Sequence, residues 1–121
     1  MTVRFPLAGA GVRLLDGGIL DALSAEARTR VRRRLNANVH AMDDRVHRLL
    51  NAIEPGSYVP PHRHLAPPKA ETVVVVRGAL GLVLFHADGA VQEAQVLRAG
   101  PGSTFGADVP AGVVHTFVAL E

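Results

Sequence analysis

The chain has 121 residues, 48% hydrophobic and 20% charged, with a formal net charge of +2 and no cysteine. Its length suits one domain and its composition excludes disorder, while the lack of cysteine excludes disulfides, thiolate metal sites and a cysteine nucleophile, so any metal must be held by nitrogen and oxygen. The first ten residues lack a signal-peptide pattern, no window approaches about 18 uncharged apolar residues, and the charge is small, which predicts a cytoplasmic protein with neither membrane nor nucleic acid as a partner.

Leu20, Leu23, Ala27 and Val31 recur at steps of three and four, an apolar stripe that predicts a helix over 17–33. Its last turns carry Arg28, Arg30, Arg32, Arg33 and Arg34, suited to the negative end of the helix dipole. They read as a solvated cationic face, with an anion or nucleic-acid contact as the alternative. From Arg34 the period becomes two. Arg34, Asn36, Asn38 and His40 alternate with Leu35, Ala37, Val39 and Ala41, which predicts a half-buried strand.

Further strands are expected over 46–53, ending at Pro55-Gly56, and over 57–61, leading into the histidines. Two apolar runs, 72–76 and 79–85, are predicted to pair through a hairpin at Arg77-Gly78. Asp88-Gly89 closes the next hairpin, into 91–97, with His86 exposed beside it, and 113–120 makes the last strand. Seven or eight short strands predict an all-β sandwich or barrel with one helix packed outside, in a single domain over 1–121.

Within this frame His62 and His64 stand two apart, so on a strand both imidazoles leave one face while Arg63 points away. After a six-residue loop Glu71 opens the next strand, and His115 follows the Pro110 and Gly112 turn. Three imidazoles and a carboxylate suit Zn, Fe, Mn, Ni or Cu better than Ca or Mg. Histidines that cap loops or sit satisfied in the core are the alternative. Burying so many titratable groups without an ion is costly, which favours a metal.

These residues resemble the cupin motifs. Gly56, His62, His64, Glu71 and Gly78 follow the order of the first motif with a longer gap before Glu71, and Pro110, Gly112 and His115 follow the second, with Ala119 where cupins carry Asn. The chain is more specifically similar to the WbuC family of cupin-fold metalloproteins, through Asn38-Val-His40, Val46-His-Arg48, Pro55-Gly-Ser-Tyr58, Pro61-His-Arg-His64, Lys69-Ala-Glu71 and His115-Thr116. His47 stands where that family has Gln. The resemblance covers 12–121 and implies a double-stranded β-helix, or jelly-roll barrel, over 34–121 with one N-terminal helix. It also implies one divalent transition metal ion on His62, His64, Glu71 and His115, and a bacterial setting associated with O-antigen gene clusters.

Around such an ion, Lys69 and His40 are the candidates for proton transfer or orientation, with Lys69 also able to offer its charge to an anionic ligand. Asn36, Asn38, Arg48 and Tyr58 are candidates for the pocket of a small polar molecule. Two functions follow: a metal-dependent enzyme acting on a small polar metabolite such as a sugar derivative, or a non-catalytic binding module with a structural metal. A homodimer is the expected assembly.

Overall fold

The computed structural model describes residues 3–65 and 67–121. The chain falls into two compact units, Met1–Ser57 and Tyr58–Glu121. Strand outweighs helix in both the sequence pattern and the structure, and every sheet is small and antiparallel. No sheet among the described residues closes on itself, and no helix among them is long and apolar enough to cross a membrane.

In the first unit a 3-10 turn at Gly9–Gly11 precedes helix α1 (Gly17–Thr29). Asp16 starts the helix by accepting the Ile19 N–H on its side chain at 3.0 Å, which satisfies one of the free amides of the first turn. Ile19, Leu23 and Ala27, four apart, form the buried stripe. This stripe packs against strands β1 (Arg34–Asn38) and β2 (Leu49–Ile53), which pair antiparallel with Asn36 opposite Asn51, and Ala37 of β1 joins the core.

The helix stops at Thr29, short of the predicted 33. Thr29 Oγ1 donates to Glu26 O at 2.7 Å, Arg30 turns extended, and Arg33 takes a left-handed φ of 55°, which reverses the chain into β1. Val31 therefore leaves the predicted stripe and is fully exposed, and of the five arginines only Arg28 lies in the last helical turn. Arg28 pairs with Glu54 at 3.4 Å and Arg30 with Glu26 at 3.1 Å, as a solvated cationic face does. The strands predicted over 34–41 and 46–53 shorten to β1 and β2. Between them Asp44 Oδ2 accepts the Ala41 N–H at 2.9 Å, a side-chain turn that competes with the ladder.

The second unit holds β3 (Glu71–Val74), β4 (Ala79–Phe85), β5 (Val91–Arg98), β6 (Gly106–Val109) and β7 (His115–Ala119). They form a β3-β6 pair and a β5-β4-β7 sheet. The β4–β5 hairpin turns at Asp88-Gly89 as predicted, with Gly89 at φ 91° and His86 exposed. Arg77-Gly78, in contrast, is not a hairpin. Both edges of β4 are taken by β5 and β7, so β3 pairs with β6 instead, and the chain passes from one sheet to the other through Gly78 at φ 76°.

Strand β6 escaped the sequence pattern because it is four residues long and includes Gly106 and Asp108. Gly106 is required there, since an added Cβ would collide with the Val73 carbonyl oxygen. The strand predicted over 57–61 does not form, because Pro60 and Pro61 have no N–H to give to a ladder. Where that segment ends, His62 forms an isolated bridge to His115. Leu82, Leu97, Val109, Phe117 and Ala119 build the core of this unit.

A candidate metal centre

The bridge at His62 is where the site begins. His62 and His115 exchange both backbone hydrogen bonds, N–H to O at 2.9 Å in each direction, so their side chains stand side by side across the pair. Their ring centroids are 4.5 Å apart. The hydroxyl of Thr116, one residue into β7, donates to the Val59 carbonyl and fastens the same pair of segments. His64, two residues from His62, brings its ring to 5.3 Å from that of His62 and 6.1 Å from that of His115. The carboxylate arrives from β3, whose first residue, Glu71, pairs with Val109 of β6.

The four side chains offer one ligand atom each, all within 4.8 Å of one another. Glu71 Oε1 is 3.1 Å from His115 Nε2, and Oε2 is 3.7 Å from His64 Nε2. With metal–ligand bonds of about 2.1 Å, two atoms on one ion stand about 3.0 to 4.2 Å apart, so the spacing is close to that of a coordination sphere. His115 is buried, while His64 and Glu71 side chains are 38% and 34% exposed.

The hydrogen bonds on the far side of the rings fit a cation. His62 Nδ1 donates to Pro60 O at 3.0 Å and His115 Nδ1 to Val113 O at 2.9 Å. A carbonyl only accepts, so each imidazole carries a proton on Nδ1 and aims Nε2 at the cluster. His115 Nε2 lies 3.1 Å from Glu71 Oε1, and the buried Nε2 of His64 has no hydrogen-bond partner among the described residues. A buried polar atom without a partner is costly, and a cation among these ligand atoms satisfies it. The set is nitrogen and oxygen, donors that could hold a metal ion.

The remaining sequence candidates fall in both units. Lys69 is exposed and lines an open groove of about 420 Å³ with Arg63, His64, Leu65 and Pro67. Arg63 was expected to point away from the ligand face. It lines the same groove as His64 because 61–65 is a loop anchored at one bridge, not a pleated strand with strict alternation. Only the flanking prolines hinted at this.

His40, Asn36, Asn38 and Arg48 lie in the first unit. His40 Nδ1 accepts the Arg48 N–H at 3.0 Å and its ring stacks on His47 at 4.1 Å. Asn36 Nδ2 donates to Asn38 Oδ1 at 2.6 Å on an exposed face, and Arg48 pairs with Asp44 at 3.3 Å. Tyr58 is 65% exposed. Among the described residues only His62, His64, Glu71 and His115 gather as a metal-ligand set.

No curated protein and no solved structure matches the chain. A family model described as a domain of unknown function (DUF6016) matches residues 15–97, a stretch that contains His62, His64 and Glu71 and ends before His115. Since the match covers well over half of the sequence, the chain belongs to this family of unknown function.

Proposed function

We propose that this protein is a cupin-fold metalloprotein, similar to the WbuC family, that holds one divalent transition metal ion on His62, His64, Glu71 and His115 and acts as an enzyme on a small polar metabolite such as a sugar derivative. The observation that carries the reading is the convergence of three imidazole nitrogens and one carboxylate, with Nδ1 protons turned outward on two of the rings. The jelly-roll assignment is supported by connections that pass between the β3-β6 pair and the β5-β4-β7 sheet. Polysaccharide biosynthesis enters through the WbuC resemblance.

Partial exposure of His64 and Glu71 gives a small ligand a path to the ion, and a five- or six-coordinate ion keeps a position beyond the four protein ligands, as catalytic sites do. A bound ion supplies Lewis acidity toward a substrate oxygen. Around it Pro60 and Val113 carbonyls orient two rings, and Lys69, in the groove beside His64, is placed to orient a ligand or move a proton.

The test is metal content by elemental mass spectrometry on untagged protein purified without added metal, for the wild type and for His64→Ala and His115→Ala, with circular dichroism to confirm folding. We expect near-stoichiometric metal in the wild type and at least about a tenfold loss in each variant. A wild type that takes up no metal even after reconstitution overturns the proposal.

A further inference from the structure

The groove beside His64 has an unbalanced charge. Of its five lining residues, Arg63 and Lys69 are cationic, Leu65 and Pro67 are apolar, and none is acidic. Arg63 and Lys69 are both exposed, and neither makes an ion pair or side-chain hydrogen bond among the described residues. The arginines of the first unit that lie near carboxylates do pair with them, as Arg28, Arg30 and Arg48 show.

The described residues beside these two charges are tied locally. Leu65 and Pro68 form a bridge, and the Lys69 N–H points to His64 O at 3.5 Å. Leu65 also lies against Gly112, where a Cβ would come to 3.2 Å from Leu65 Cδ2, so the glycine before His115 leaves room for the loop. Pro67 restricts the backbone further. Lys69 is thereby kept on the same rim as His64.

We infer that this groove is an oxyanion subsite, in which Arg63 and Lys69 hold a carboxylate or phosphate group of the ligand whose other end reaches the metal centre. The inference rests on the metal-site reading above and assigns the charge class of its ligand. The guanidinium fork matches two oxygens of such a group, the ammonium adds a point charge, and Leu65 and Pro67 supply an apolar wall. Three neutral imidazoles and one carboxylate leave a divalent ion with a net positive site, so the anion also balances the centre it approaches.

The experiment is titration calorimetry on the full chain at low ionic strength, with inorganic phosphate, with acetate and with glucose as the uncharged probe. Wild type, Arg63→Gln, Lys69→Gln and the double variant are compared, and metal content is measured on the same samples. We expect an oxyanion to bind the wild type, glucose not to bind, and the double variant to bind the oxyanion at least about tenfold more weakly with metal content and circular dichroism unchanged. Added salt should weaken wild-type binding, as exposed charges require. Whether phosphate or acetate binds more tightly distinguishes the two sources of the anion. Equal oxyanion affinity in the double variant, glucose binding as strong as the anion's, or no oxyanion binding to the wild type overturns the subsite. Oxyanion binding that depends on Arg63 and Lys69 in a wild type free of metal supports the subsite and overturns the metal centre.

Discussion

Which nitrogen an imidazole presents is decided by what its other nitrogen touches, and here two backbone carbonyls, Pro60 O and Val113 O, make that choice for His62 and His115. Both carbonyls lie two residues before their histidine, so the orientation is local even though the partners in the cluster are distant. Glu71 is the only charge in the set. Replacing it by Gln keeps the shape while removing the anionic ligand. Glu71→Gln is thus expected to lower metal content at least about tenfold while shifting apo-protein stability by no more than about 1 kcal/mol, measured by urea unfolding. A variant that keeps its metal would show that the carboxylate is not a ligand. Gly106→Ala tests a different residue-scale constraint, since the new Cβ meets the Val73 carbonyl inside the β3-β6 pair. It should cost about 1–3 kcal/mol by the same measurement, and an unchanged midpoint would mean that the pair yields freely.

At the scale of elements, helix α1 depends on one cap and three buried side chains. Asp16→Ala removes the acceptor for the Ile19 amide and should cost about 1 kcal/mol. Leu23→Ala removes a side chain that is 1% exposed and should cost about 2–5 kcal/mol, with the smaller values expected only if β1 and β2 collapse onto the gap. Thermal or urea unfolding that ranks Asp16→Ala as the more damaging change would contradict this packing. Leu23 and Ala27 were legible as core from their spacing, but the helix end was not, because Val31 continues the same period. The stop came from Thr29 back-bonding and the left-handed Arg33, neither of which alters an apolar periodicity. The β4–β5 turn was legible for the opposite reason: the Asp88 side chain accepts the Ala90 N–H and Gly89 takes the positive φ, so the turn chemistry lies in those two residues themselves.

For the molecule as a whole, the cluster ties three parts of the Tyr58–Glu121 unit: the extended segment at His62 and His64, the β3-β6 pair through Glu71, and the β5-β4-β7 sheet through His115. An ion bound there stabilises the folded chain in proportion to the logarithm of its excess over the dissociation constant, by about 2.7 kcal/mol at a hundredfold excess. Chelation of metal-loaded protein should therefore lower the melting temperature and speed amide exchange most at His62, Glu71 and His115. Exchange that does not respond at these three positions would place any bound metal elsewhere.

Much of the chemistry was present in one dimension. His62, His64, Glu71 and His115 stand out by residue type and spacing, the β-rich class follows from short runs between turn signals, and Asp88-Gly89 names its own hairpin. These features are local, so neighbours in sequence suffice to specify them. Strand partnership was decided only in three dimensions. Arg77-Gly78 has the look of a hairpin, yet the two edges of β4 were already filled by β5 and β7, and β3 paired with β6. Arg63 reached the groove because prolines kept its segment out of a regular ladder. A strand has two edges and a ladder needs free N–H groups, and both limits act between residues that are far apart along the chain.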